Sequence, residues 1–146
     1  MGVSLKCQYG LRALFELSRN WEGGLLRIPA IAKTQDIPER FLENILNQLR
    51  GGGFVKSRRG RGGGFQLSKP PGTITVADVV RFIDGQIYSL SCEGDQPLHH
   101  CDLKRRCIFK PLWQKARIAL EDVYNSVTLQ DLLDEERRGG SPDYSI

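Results

Sequence analysis

The chain has 146 residues, 40% apolar and 26% charged, the balance of an ordinary soluble domain with room for one or two small folding units. A globule of this length buries roughly two thirds of its unfolded surface, so its four cysteines are not required as staples and call for another explanation. Lys and Arg number 21 against 17 Asp and Glu, a net charge of +4, which permits an acidic partner such as nucleic acid without demanding one. No run approaches the roughly 18 apolar residues of a membrane span, and Arg12 and Glu16 interrupt the apolar stretch near the N-terminus. A cytoplasmic, membrane-free setting is expected, in which thiols stay reduced or bind metal.

In chain order, Leu5, Tyr9, Leu11, Leu14, Phe15 and Leu17 carry helical spacing through residues 4–19, and Gly23 and Gly24 close that helix. Leu25, Leu26 and Arg27 read as a short extended piece. Pro29 suits the first turn of a brief helix over 30–34, and the break at Asp36, Ile37 and Pro38 leads to a third helix over 39–50. That helix carries Phe41, Leu42, Ile45, Leu46 and Leu49 on its apolar side, and the pair outlines a helix-turn-helix. Strands are expected over 54–58 and 64–68 around a glycine-rich tip, a hairpin that makes the unit a winged helix. Thr75 can cap a helix over 76–84. Periodicity then disappears between Ser89 and Ile108, where three cysteines fall, and this loop needs something other than packing to order it. Leu112, Trp113, Ala116, Ala119, Leu120, Val123 and Tyr124 mark a long helix over 109–127, whose stripe wants a partner helix. Thr128 and Asp131 form a capping-box pattern opening a last short helix.

The expected fold is therefore mainly α with a small β-hairpin: a winged helix-turn-helix over 1–84, a cysteine-bearing loop over 85–108, a dimerisation helix and short terminal helix over 109–136, and a flexible tail over 137–146.

Charge placement sharpens this outline. Residues 50–69 hold Arg50, Lys56, Arg58, Arg59, Arg61 and Lys69 and no acid, so positive charge is concentrated in the hairpin. Arg58, Arg59 and Arg61 beside glycines can approach a phosphate backbone or enter a narrow minor groove, where the potential is most negative. A bare basic hairpin reads equally as a solvated turn; the adjoining helix-turn-helix favours DNA. Off the apolar stripe of the third helix lie Glu39, Arg40, Glu43, Asn44 and Asn47, residue types that read base edges. Glu43 cannot attract phosphate but can accept a hydrogen bond from cytosine. No strand-to-helix crossover with a Lys-Ser or Lys-Thr pair follows the glycine run, and no catalytic constellation can be assembled, so neither a nucleotide-binding protein nor an enzyme is expected.

Cys92, Cys101 and Cys107 form a C-x8-C-x5-C pattern. Thiolates are soft, strong ligands for zinc or for iron–sulfur clusters, and the absence of a CxxC pair weakens a zinc-finger reading. Lys104, Arg105 and Arg106 would offset the charge of a thiolate-ligated cluster. A fourth position remains open among His99, His100, Glu93, Asp102, Cys7 and Gln8.

The wing sequence R-G-x-G-G-G-F, here Arg59 to Phe65, followed by xLxKPPxxIxxxDVxxxIDG, is far more specific than any of these motifs singly. With the opening YGLRALFELS and the segment beginning IFKPLW, the chain resembles the Rrf2 family of bacterial winged-helix transcription regulators over nearly its whole length. The resemblance implies a homodimer with crossing long helices, each third helix in a major groove and each wing over a minor groove of double-stranded DNA. Glu43 matches a base-reading position and Arg59 the wing arginine. In cluster-binding members three cysteines match Cys92, Cys101 and Cys107 and hold an iron–sulfur cluster, [2Fe–2S] or in some members [4Fe–4S]; the former is expected here. Lys110 stands where one member type has a histidine ligand, and Gln8 where another has an acidic ligand from the other subunit. The expected function is a dimeric DNA-binding regulator whose grip is modulated by a redox-sensitive cluster. The alternatives are a cluster-free regulator using thiol switching or zinc, and a module that docks on an enzyme.

Overall fold

Side-chain caps at Ser4, Thr75 and Thr128 fix where their helices begin. In the computed structural model, which describes residues 2–87 and 106–139, Ser4 accepts a hydrogen bond from the Cys7 N–H (3.0 Å) and opens α1 (Leu5–Arg19). The same serine donates its own N–H (2.8 Å) and hydroxyl to the carboxylate of Asp84, the last residue of α4 (Val76–Asp84). α4 starts with a capping box between Thr75 and Asp78, and α6 (Leu129–Arg137) with one between Thr128 and Asp131. α2 (Ile28–Gln35) has Pro29 in its first turn instead, and ends on Asp36 in the left-handed conformation, φ 50°. That bend aims the chain into α3 (Glu39–Gly51).

Strands β1 (Val55–Arg58) and β2 (Gly64–Leu67) pair antiparallel, Val55 opposite Leu67 and Arg58 opposite Gly64. A third extended piece joins them: Leu26 and Phe65 exchange both backbone hydrogen bonds, at 2.7 and 2.8 Å. The extended segment before α2 is thereby stitched to the outer edge of the wing. Leu14 and Leu17 of α1, Ile31 of α2, Leu42, Leu46 and Leu49 of α3, and Val55 and Leu67 of the strands close a single core with Ile74, Val79 and Leu129. Phe41, expected on the apolar side of α3, is instead 56% exposed, because Leu42, Ile45, Leu46 and Leu49 complete the buried stripe without it.

The last two helices pack differently. α5 (Lys110–Ser126) buries none of its residues, and leaves Leu112, Ile118 and Val123 more than half exposed. α6 returns to the core through Leu129 and Leu133, and is tied to α1 where Arg19 Nε donates to Glu136 (2.9 Å). Between them, Thr75 and Thr128 form a two-residue bridge: the Val76 N–H donates to Val127 O and the Leu129 N–H to Ile74 O. The loop expected over 85–108 falls mostly outside the described residues, as does the tail beyond residue 139.

Candidate nucleic-acid interface

α3 has its apolar stripe inward, so its helical period turns Arg40, Glu43, Asn44 and Asn47 outward on the opposite side; all four are exposed, as is Glu39 in its first turn. Beside it the wing rises on β1 and β2. Gly60 and Gly62 adopt positive φ, 89° and 70°, which lets the tip reverse within a few residues. Arg58, Arg59 and Arg61 are exposed around that turn, Arg58 with a guanidinium contact to the Gly62 carbonyl at 3.3 Å.

Helix and wing enclose an open groove of about 500 Å³. Glu43, Asn47 and Arg50 line its helix side and Ser57, Arg58 and Arg59 its wing side. Thus Glu43, Asn47, Arg58 and Arg59 converge on one groove, whereas Glu39, Arg40, Asn44 and Arg61 lie exposed outside its lining. Two basic residues join the site that sequence reasoning had not placed there. Arg50 donates to Ser57 Oγ (2.9 Å) and so braces the end of α3 against β1. Arg27 also lines the groove, since the Leu26–Phe65 bridge holds the start of α2 against the wing. Its extended reading was visible in the sequence; its pairing with a strand about forty residues on was not.

Of the three cysteines expected to hold a cluster, Cys92 and Cys101 lie outside the described residues, as do His99, His100, Glu93 and Asp102. Cys107 is half-buried with a free thiol just ahead of α5, and its carbonyl accepts from the Lys110 N–H (3.3 Å). Cys7 is fully buried, and burial, reinforced by the nearby Asp84 carboxylate, pushes its thiol up to about 12. That environment marks it as a small core residue, the alternative to ligation left open by the sequence. Gln8 is exposed and donates to the Val3 carbonyl (3.2 Å). Among the described residues no group of three His, Cys, Asp or Glu side chains gathers to hold a metal ion, and no helix is long and apolar enough to cross a membrane.

The Rrf2 family model, described as an iron-dependent transcriptional regulator, matches residues 3–135. The chain belongs to the Rrf2 family. Among Rrf2 relatives it is 34% identical to the HTH-type transcriptional regulator CymR of Bacillus subtilis over 133 residues, 90% of this chain and 89% of that protein. It is 29% identical to the regulator IscR of Citrobacter koseri over 136 residues, 93% and 82% of the two chains. A solved structure of T. potens IscR superposes with a TM-score of 0.76 at 31% identity, covering 95% of this chain and 90% of that one. The structure of B. subtilis CymR, described as the global cysteine regulator, superposes at 0.75 with 34% identity, covering 92% and 97%. This Rrf2 chain is a DNA-binding transcriptional regulator with a winged-helix fold, and its relatives are regulators, not enzymes.

Proposed function

We propose that this Rrf2 regulator acts in the cytoplasm as a homodimer that grips duplex DNA with α3 and the wing, and that an iron–sulfur cluster on Cys92, Cys101 and Cys107 modulates the grip. The observation that carries the DNA-reading part is the common groove, where a carboxylate and an amide suited to base edges face wing arginines suited to phosphate. In this reading Glu39, Arg40, Glu43, Asn44 and Asn47 read the major groove, and Arg58, Arg59 and Arg61 follow the backbone into the adjacent minor groove.

Dimerisation is supported by α5. Leu112, Ala116, Ala119 and Val123 recur at intervals of four, three and four on its exposed side, the spacing of a coiled-coil seam. Within the described residues this 17-residue helix meets α4, where Arg81 donates to Asn125 Oδ1 (3.1 Å), but buries none of its residues, so its exposed side has room for a second copy.

The donor set supports the cluster. Three thiolates within sixteen residues suit an iron–sulfur cluster, and Cys107 is free and only half-buried at the head of α5. Bound there, a [2Fe–2S] cluster would supply a redox-labile centre. The protein's part is to order the residues leading into α5 and so bias the spacing of the two reading heads. A second reading replaces the cluster with thiol oxidation. It is favoured by the likeness, at 30% identity and a TM-score of 0.71, to a structure of the oxidized form of Staphylococcus aureus CymR. Anaerobic reconstitution with iron and sulfide separates the two. Sulfur-to-iron absorption in the visible, with DNA affinity that changes on bleaching, is the expected outcome. Protein that stays colourless sinks the cluster and leaves the thiol switch.

A further inference from the structure

Adjoining major and minor grooves of a duplex are separated by one sugar–phosphate strand. If α3 occupies one groove and the wing its neighbour, that strand must run through the space between helix and wing, which is the groove described above. Its lining includes the extended segment that enters α2, where Arg27 is the residue flanking the helix and Pro29 follows in its first turn.

We infer that Arg27 is a further DNA-binding residue, which holds a backbone phosphate of the strand passing between recognition helix and wing. The inference rests on the DNA-reading role proposed above and adds to it a basic contact between helix and wing. Several features converge on Arg27. It is exposed and lines the same groove as Arg50, Arg58 and Arg59. Arg50 is engaged with Ser57 and Arg58 with the Gly62 carbonyl, whereas the guanidinium of Arg27 makes no hydrogen bond or ion pair to any described residue. Its backbone is extended, φ −84° and ψ 151°, and the adjoining Leu26 is clamped by two hydrogen bonds to Phe65, so the side chain starts from a fixed point on the wing sheet. A guanidinium so placed can grip two phosphate oxygens in a bidentate manner. Glu43 on the opposite wall contributes a negative charge that keeps phosphate from settling deeper along α3 and leaves the base edges to the helix.

Such a contact is independent of sequence, so its test needs no known operator. Binding of wild type, Arg27→Gln, Arg27→Lys and Arg59→Ala to a fluorescent pool of random-sequence duplexes is followed by anisotropy from about 50 to 200 mM salt. Arg27→Gln is expected to weaken binding several-fold at low salt and to reduce the log–log salt slope by about 0.9 for each protomer engaged. Arg27→Lys should restore most of the slope, and the melting temperature of both variants should equal that of wild type, since Arg27 supports no packing. If Arg59→Ala weakens binding while Arg27→Gln leaves affinity and slope unchanged, the Arg27 assignment falls and the DNA-reading surface stands. Wild-type protein that shows no salt-dependent binding overturns both.

Discussion

At Gly64 a hydrogen atom in place of a side chain decides whether the wing docks. A Cβ there would lie 2.4 Å from the Leu26 carbonyl oxygen, and the residue holds φ at 150°, where L side chains are strained. Gly64→Ala should therefore cost about 2 kcal/mol, the order of two lost backbone hydrogen bonds, measured by urea unfolding, and should weaken DNA binding along with it. Gly60→Ala at the tip, where φ of 89° also strains an L side chain but an added methyl group would meet no atom within 4 Å, controls for the backbone strain without the clash and should cost less. The glycine run signalled a turn in the sequence, but not which glycine touches a distant backbone, because the contact is made by Leu26 across the chain. Glu43, Asn47, Arg58 and Arg59 were legible as residue types off an apolar stripe and at a hairpin tip. Arg27 was not, since its role depends on that same cross-chain pairing.

Among the elements, α1 to α4 and the wing follow from periodicity and capping residues, which act over a few positions and are therefore written locally. Phe41 shows the limit of that local code: spacing places it beside Leu42, yet the stripe through Ile45 and Leu49 leaves it on the flank. The α5 helix was likewise readable, and its exposed Ala116 and Ala119 are small enough for the second helix of the proposed dimer to approach closely. In the proposed dimer, Ala119→Glu should leave a monomer in size-exclusion chromatography with light scattering, because two like charges would face each other between the α5 helices. The winged domain should keep its far-ultraviolet helical signal, since α5 lends the core no buried residue. A dimer that survives this substitution would move the interface elsewhere.

For the molecule as a whole, α6 closes the chain back onto α1, which the capping box at Thr128 announced as a helix but not as a docked one. Its attachment is partly electrostatic. The hydrogen bond from Arg19 holds the Glu136 carboxyl below its usual range, and the backbone and side-chain hydrogen bonds of Thr128 do the same for Asp131. Both carboxylates are more acidic folded than unfolded, so their contribution is complete above the ordinary carboxylate range and is lost as pH falls through the lowered values. Below about pH 4, amide exchange in α6 should accelerate ahead of α1 and α3, and Glu136→Gln should remove part of that response. Simultaneous exposure of all helices would count against a separately weakened α6. The Thr75–Thr128 bridge has a mechanical corollary. It pins the C-terminal end of α5 to the reading head, while Cys107 lies at the other end of a shaft about 25 Å long at 1.5 Å per residue. Across such a lever, a 1 Å nudge at the sulfur becomes a tilt of only about 2° at the pivot. In the proposed dimer, a signal arriving there would gain little by rocking its own protomer; its effective path would run sideways, by changing how two shafts cross.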